Sequence, residues 1–534
     1  METLSHPLPL SFAQAPRGGD SNTLPSSASQ MRFWVGCFWL WLLLRTVVWF
    51  LVTVCACANA PLDLVEWLSW GHVWSWGYPK HPPLPAWVAS VFQWLSPGEV
   101  WSVYLASYLV TALCLVAAWK LALCYLSPRF ALLAVMAMDG LTFLTINPAE
   151  FNNNILLNAG WAWMVYCSHQ ALFQNKSRWW VAVGVTWGLS FLCKYTVMLL
   201  AAPLVFFWLL HADVRRAVGL ARPCLAGAIA LAIVMPHLIW MAHNDFITIT
   251  YALERSADLG GIEDHWENPL IFLATQLALL IPVIIILLPA LDGTRSQYPP
   301  TTELRFLHYA VLGPLIVFLI YSAVTGSLIR NIWGSPLWTF FGVWLLANWK
   351  NTFSLRTTSA VWLTWSGVAL SMIGIQVVRQ TAGPYLLQHP LRTHFPGKLL
   401  AREVTNRWHQ HFDQSFAIVG GEPWIAGNIC CYVDHHPLLY SSGCLDCVIM
   451  EEKDIPWTND EDLKSRGGII VWDARRYGDA VPMEIQQRFA DLMIQEPIEL
   501  KYQTSASLPP ARIGLAFVPP ARHRHGEKVL DPKK

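Results

Sequence analysis

The sequence predicts a mainly α, polytopic membrane protein of about eleven transmembrane helices, followed by a small α/β domain. Three observations carry this. Of 534 residues, 54% are hydrophobic and 13% charged, roughly half the charged fraction of an average soluble domain. Apolar runs of about the twenty residues needed to span hydrocarbon recur, separated by short polar breaks. The composition then shifts after about residue 380, which divides the chain. The 36 Lys and Arg nearly balance the 35 Asp and Glu, for a formal net charge of +1, so no global basic field points to nucleic acid.

Taken in order, residues 1–31 are rich in Ser, Pro and Gly and read as a disordered cytoplasmic tail. The first span, 33–53, is too long for a secretory signal and lacks a clear cleavage site. The membrane domain, 32–379, continues with spans at 100–124, 129–147, 153–173, 178–193, 196–211, 218–242, 268–291, 306–326, 332–349 and 358–378. The apolar stretch Trp179 to Leu210 overshoots a ~30 Å core at ~1.5 Å per residue, so it reads as two helices turning near Lys194.

Lys and Arg in short loops mark the cytoplasmic side. Arg32, Arg129, Lys176 with Arg178, Arg215 with Arg216, Arg295 with Arg305, and Lys350 with Arg356 fall on one side. The loop 54–99, the Asn-rich loop Asn147 to Asn154, the acidic loop Asn244 to Glu267 and the tail 380–534 fall on the other. In a cell inner membrane this makes the N-terminus cytoplasmic and the tail periplasmic. The tail has strand-like runs, Phe416 to Gly421 and Gly468 to Asp473, and an amphipathic stretch, Pro482 to Gln495, hence a small α/β domain. Outside the cytoplasm Cys430, Cys431, Cys444 and Cys447 are open to oxidation. Cys444 and Cys447 have metal-ligand spacing but no second such pair, so disulfide or free thiols is preferred to zinc.

The loop 54–99 is the most informative segment. It places Asp63, Glu66, His72, Lys80 and His81 among Trp and Tyr directly after a membrane span. Ionisable groups are costly in lipid, so this cluster belongs at the interface, where it suits chemistry on a lipid-borne substrate. Sugar transfer from a polyprenyl phosphate needs a base, cations on the leaving phosphate and an apolar route for the lipid. Asp63 or Glu66 is the candidate base. Lys80, His81, Lys194, Arg255 and Arg330 are the candidate cations. Against these stand blander roles: Glu66 solvated or capping a helix, His72 as an interfacial aromatic, Lys194 snorkelling to headgroups, and Pro82, Pro83 and Pro85 fixing the loop.

Asp63, then Gly77-Tyr78, Lys80-His81-Pro82-Pro83-Leu84 and Trp87, resembles the acidic and DHPP-type signature of family 39 glycosyltransferases, which include lipid A aminoarabinose transferases and, more distantly, protein O-mannosyltransferases. Gly188 to Thr196 is similar to that family's KYT segment, Pro236 to Phe246 to its P-x-x-x-W-N-x-x-x-D-W, and Arg330 to Gly334 with Pro336 to its tryptophan-and-proline helix start. The resemblance covers roughly residues 33–350. It implies a GT-C fold, an inverting glycosyl transfer from an undecaprenyl-phosphate-linked sugar, and Asp63 at the catalytic aspartate. Tyr78, Asn152, Asn154 and Tyr195 become acceptor- or loop-positioning residues.

Departures accompany the resemblance. Leu64 replaces an acid, Lys80 stands in the DHPP position, and the acid opening the fourth span is replaced within Phe151 to Asn154. Fewer carboxylates weaken the case for a divalent cation such as Mg or Mn. Glu66, one turn from Asp63, is the residue placed to restore a ligand, making Asp63 and Glu66 the candidate metal pair. The acceptor is left open among lipid A, another membrane lipid, a glycan and a protein. The rival class is a transporter or lipid flippase, for which the sequence offers few mid-span ionisable residues (Arg45, Lys120, Asp139, Arg222) and no internal repeat. A non-catalytic scaffold predicts that Asp63→Asn leaves function intact.

Overall fold

The computed structural model describes residues 28–521, apart from 175, 257–260, 296–299, 352–354, 443–446, 453–454 and 490. Most of the expected N-terminal tail therefore lies outside the described residues, and the first helix starts at Ala28, a turn ahead of the expected boundary at residue 31.

The chain is mainly helical. Among the described residues, six helices are long and apolar enough to cross a membrane: Ala28–Ala56, Trp101–Tyr125, Ala221–His243, Asp264–Ala290, Thr302–Thr325 and Ser359–Thr381. A seventh is obtained if Val197–Leu210 and Ala212–Val218, bent by 90°, form one span. The expected count of eleven is thus not matched by length and composition, and the reasons are local. The stretch 129–147 breaks into Pro128–Met136, a tight turn Ala137–Gly140 and the short Thr142–Thr145. Gly140 sits where a Cβ would meet the backbone nitrogen of Val283 at 2.8 Å. The stretch 332–349 is helical from Phe341 to Asn348 only, after a tight turn at Asn331–Gly334. Ser177–Phe191 has 15 residues, or about 22 Å at ~1.5 Å per residue. Apolarity marks what is buried, and here part of it is buried against protein.

Helices Ser177–Phe191 and Ala221–His243 pack closely through small residues. A Cβ on Gly184 would lie 2.6 Å from the Ala226 carbonyl, and one on Gly188 would lie 2.9 Å from Ile233 Cβ. In lipid, where the hydrophobic effect between helices is absent, such backbone approach supplies the packing. Deeper in the bundle, Arg45 Nε bonds Asp139 Oδ1 at 2.5 Å. Asp139 Oδ2 also accepts from Trp41 Nε1 at 3.3 Å and Trp365 Nε1 at 3.0 Å. Two of the mid-span ionisable residues therefore close on each other and tie together three segments of the chain.

The C-terminal domain holds a five-stranded sheet: β1 (Ile418–Gly421), β2 (Leu438–Tyr440), β3 (Gly468–Asp473), β4 (Met493–Leu500) and β5 (Ala511–Val518). The order is β2-β1-β3-β5-β4. β1 runs parallel to β2 and β3, whereas β5 is antiparallel to β3 and β4. The helix Pro423–Tyr432 joins β1 to β2. The expected amphipathic helix over Pro482 to Gln495 is confined to Met483–Arg488, and β4 begins at Met493. Cys430 and Cys431 are buried free thiols. Cys447 is in a disulfide, and Cys444 lies outside the described residues.

This domain is clamped to the loop 54–99. Asn59 Nδ2 donates to Asn428 Oδ1 at 3.0 Å, the Ala60 N–H to the Tyr432 hydroxyl at 3.0 Å, and Gln93 Nε2 to the Cys431 carbonyl at 3.2 Å. A Cβ on Gly427 would stand 2.9 Å from Val65. The loop and the C-terminal domain therefore share one side of the helical bundle.

Candidate active site

Asp63 lies in the first turn of the short helix Leu62–Gly71, which Pro61 precedes. A carboxylate in that position is favoured by the helix N-terminus. The helix buries Leu64, Val65, Trp67, Leu68 and Trp70, so Asp63 is fixed by the packing of its own element. Opposite it, the chain leaves the turn Asn147–Glu150 through Phe151, held at φ +36°. Such a left-handed residue is uncommon outside glycine and marks an over-determined segment. The next residues form an amide relay. Asn152 Nδ2 donates to Asp63 Oδ2 at 3.0 Å, and Asn152 Oδ1 accepts from the Asn154 N–H at 3.0 Å and from Asn154 Nδ2 at 3.2 Å. Lys194 Nζ then donates to Asn154 Oδ1 at 2.6 Å. Lys194 sits in the break between Ser177–Phe191 and Val197–Leu210, with its ammonium 5.2 Å from the Trp333 ring centroid. The fold thus joins Asp63 to Lys194 through two asparagines.

Glu66 faces the other lysine. Lys80 Nζ bonds Glu66 Oε1 at 2.5 Å, with both side chains largely buried, and lies 5.7 and 5.8 Å from the Trp70 and Tyr251 ring centroids. Lys80 reaches this place from the turn Tyr78 to His81, closed by mutual backbone hydrogen bonds of 3.1 and 3.3 Å. Tyr78 is fully buried, stacks on Trp70 and donates its hydroxyl to the Val73 carbonyl at 2.7 Å.

The electrostatics follow from this crowding. Burial pushes the Asp63 carboxyl above its ordinary value, against the lowering effect of Asn152, Lys80, Lys194 and Arg392. Burial alone would pull Lys80 down, but Glu66, Tyr251 and Asp63 outweigh it and the ammonium is held above its usual value. Lys194, buried beside neutral amides, is lowered to about 7, opposed by Asp63. Glu150 is raised to about 7 by burial and then by the charge of Asp63.

The predicted residues divide accordingly. Asp63, Asn152, Asn154, Lys194 and Lys80 converge. Glu66 is the partner of Lys80 and does not join Asp63 as a second metal ligand. A divalent cation prefers several free hard oxygens, and the Asp63 and Glu66 pair does not fit one: Asp63 Oδ2 takes an amide proton and Glu66 is neutralised by an ammonium. Among the described residues no group of three or more His, Cys, Asp or Glu converges on a possible ion site. His81 is half-buried between Trp67 and Tyr251, with Nδ1 3.4 Å from Asn153 Nδ2, a packed ring rather than a presented cation. Tyr195 lies elsewhere, its hydroxyl 2.8 Å from both His237 Nε2 and Thr248 Oγ1. His237 Nδ1 in turn reaches the Trp76 carbonyl at 2.6 Å, linking Tyr195 to the loop rather than to Asp63. Arg330 is exposed at the start of the Asn331–Gly334 turn, and the side chain of Arg255 lies outside the described residues.

Two residues escaped the sequence reading. Glu150, paired with Arg379 at 3.8 Å, immediately precedes the segment in which an acid was thought lost, and its position beside Asn152 was the available signal. Arg392, whose charge acts on both Asp63 and Glu150, comes from the C-terminal domain and carried no local signal.

Residues 80–240 match the family model for dolichyl-phosphate-mannose-protein mannosyltransferases. With this partial match goes a fold likeness over nearly the whole chain, and the architecture is that of the GT-C glycosyltransferases. The chain is similar to ArnT from Cupriavidus metallidurans bound to undecaprenyl phosphate, with a TM-score of 0.61 and 13% identity, covering 92% of this chain and 98% of ArnT. It is also similar to ArnT from the same organism in the apo state, with a TM-score of 0.57 and 12% identity, covering 93% and 99%. No curated protein matches the chain by sequence.

Proposed function

We propose that this chain is a membrane glycosyltransferase that moves a sugar from a polyprenyl-phosphate donor, of the undecaprenyl type, to an acceptor on the extracytoplasmic face of a cell inner membrane. The acceptor class is lipid A, another membrane lipid, a glycan or a protein. The observation that carries the reading is the amide relay from Asp63 to Lys194, which links a carboxylate and an ammonium in one site and so supports a base and a phosphate-binding cation acting together. The ArnT fold match, whose crystal contained undecaprenyl phosphate, supports the donor class.

In this mechanism Asp63 takes the proton of the acceptor hydroxyl or amine. A carboxyl raised above its ordinary value is the better base near neutrality. The acceptor atom attacks the anomeric carbon from the face opposite the phosphate, the bond from that carbon to the phosphate oxygen breaks, and the electron pair leaves with the polyprenyl phosphate. Configuration inverts. Lys194 and Lys80 face the developing phosphate charge in a water-poor site, where a fixed cation is worth more than in bulk water. Arranged this way, no step needs a cation held by Asp63 and Glu66.

Comparing membrane glycolipids by mass spectrometry in cells with and without the chain tests the activity, since the mass shift names the sugar and the fragment names the acceptor. Identical glycolipid and glycoprotein profiles would remove the transferase reading.

A further inference from the structure

His237, in the helix Ala221–His243, has no exposed surface and uses both ring nitrogens. Nδ1 lies 2.6 Å from the Trp76 carbonyl, and because a carbonyl only accepts, Nδ1 carries the proton. Nε2 of the neutral ring is then an acceptor, and the Tyr195 hydroxyl stands 2.8 Å from it. That hydroxyl is also 2.8 Å from Oγ1 of Thr248, itself buried. One imidazole therefore ties together the loop 54–99 at Trp76, the turn at Tyr195 and, through Tyr195, the helix Ile247–Ser256 at Thr248. Burying a polar ring is costly unless it is hydrogen-bonded. An apolar side chain would fill the same space, so the two directed bonds are what sets this position apart.

Each tied segment carries or flanks a lysine of the candidate site. Tyr195 follows Lys194 directly, and Trp76 lies four residues before Lys80. Trp240, one turn beyond His237, packs so closely on Gly77 that a Cβ there would meet the indole at 2.2 Å, so the chain leading to Lys80 is docked at two successive residues. Thr248 belongs to the helix that presents Tyr251, whose ring centroid is 5.8 Å from Lys80 Nζ. The rings of Tyr195, His237 and Trp240 run in a stack, with centroids 5.9 and 6.0 Å apart and planes 22° and 14° from parallel, which backs the hydrogen bonds with packing. Lys194 is anchored on Asn154 and Lys80 on Glu66. These separate anchors leave the spacing of the two ammonium groups to the elements that carry them, and His237 is where those elements join.

We propose that His237 is a positioning residue for glycosyl transfer, setting the spacing of Lys80 and Lys194 on the donor phosphate by holding the Trp76 carbonyl and the Tyr195 hydroxyl at opposite sides of one ring. This assignment rests on the glycosyl-transfer reading. The test uses the full chain in detergent micelles at one pH and reads two quantities. One is the rate at which an amine reagent acylates Lys194 and Lys80, followed by peptide mass spectrometry with the exposed Lys398 as reference; the other is the affinity for undecaprenyl phosphate. An asparagine amide reaches the place of Nδ1 and keeps the Trp76 bond, whereas a glutamine carbonyl reaches that of Nε2 and keeps the Tyr195 bond. His237→Asn is expected to speed acylation of Lys194 and not of Lys80, and His237→Gln the reverse. Each should weaken undecaprenyl phosphate binding by about 2- to 10-fold, the range of one lost hydrogen bond. Tyr195→Phe, which removes a single oxygen, should reproduce His237→Asn and keeps the test decisive if the ring variants misfold. Its loss of affinity should disappear in a Lys194→Met background, because the tie acts through that lysine. Equal changes at both lysines, no change at either, or an undiminished loss in the Lys194→Met background would show a ring that only fills space and overturn the assignment. The split in acylation together with a wild-type chain that binds no undecaprenyl phosphate would instead overturn the donor reading and leave His237 as the tie between the two segments.

Discussion

Asp63 has the most to lose from a change of one atom. Asp63→Asn keeps the side-chain shape and a hydrogen-bonding group beside Asn152, and removes the capacity to take a proton. A positioned base contributes ~10²–10⁴-fold, so turnover should fall by at least that factor while the purified protein keeps its thermal unfolding profile. Activity within about tenfold of wild type, or less than ~1.4 kcal/mol of transition-state stabilisation, would remove the base assignment. Lys194 gives a pH test with a fixed sign. Its folded value of about 7 lies below the ordinary 10.5, so the free site is cationic below about pH 7 and loses that charge as pH rises through it. Donor affinity should therefore weaken between about pH 6 and pH 8.5. The donor phosphate, a diester, keeps a single negative charge throughout this range and adds no trend of its own, and Lys194→Met separates the slope from that of any other titrating group. Equal pH slopes in the wild type and Lys194→Met would exclude Lys194 from the phosphate site. Lys80, held above its ordinary value by Glu66, should show no such slope over that range, and Lys80→Met should lower donor affinity at every pH.

At the scale of elements, the helix Leu62–Gly71 that carries Asp63 is seated by two close contacts whose disruption should be measurable. A Cβ on Gly71 would fall 2.1 Å from Ser90 Oγ and 2.8 Å from the Ala86 carbonyl. The backbone oxygen cannot rotate away as a side chain can, so Gly71→Ala should displace this helix or the next at a cost of roughly 1–3 kcal/mol, read as a lower unfolding temperature with reduced turnover. An unchanged unfolding temperature would show that the two helices part easily. These contacts also explain what the sequence disclosed. Asp63 and Lys80 were legible because one short loop carries both, and the turn at Lys194 because the apolar stretch around it is too long for one crossing. The Lys80–Glu66 pairing was hidden, since helical spacing placed Glu66 beside Asp63 and said nothing of a lysine arriving from a later turn. The segments 129–147 and 332–349 are interrupted by the tight turns Ala137–Gly140 and Asn331–Gly334, and hydropathy alone does not reveal such breaks. Strands β1 and β3 were visible as apolar runs bounded by Gly, Asp and Asn, whereas their parallel register depends on pairings between residues that are distant in sequence.

For the whole molecule the decisive question is which side of the membrane the site occupies. The Asn59 to Asn428 and Ala60 to Tyr432 hydrogen bonds make this one question, because the loop carrying Asp63 and the C-terminal domain cannot lie on opposite faces. The Arg45–Asp139 pair bears on the rival transporter reading. Its charges are matched to each other and to two indole N–H groups, as a structural tie would be, and removing one partner of a buried pair costs about 3–5 kcal/mol. Asp139→Asn should therefore impair folding and yield rather than alter the specificity of the reaction. Reporter fusions after Gln380, where the last long helix ends at Thr381, settle the side. The clustering of Lys and Arg in the opposite loops predicts that an exported phosphatase is active there and a cytoplasm-dependent reporter is silent. Through the Asn59 and Asn428 contact, that outcome would place Asp63 outside the cytoplasm as well. A reporter active only in the cytoplasm would reverse the membrane domain, move Asp63 to the cytoplasmic face and exclude transfer on the extracytoplasmic side.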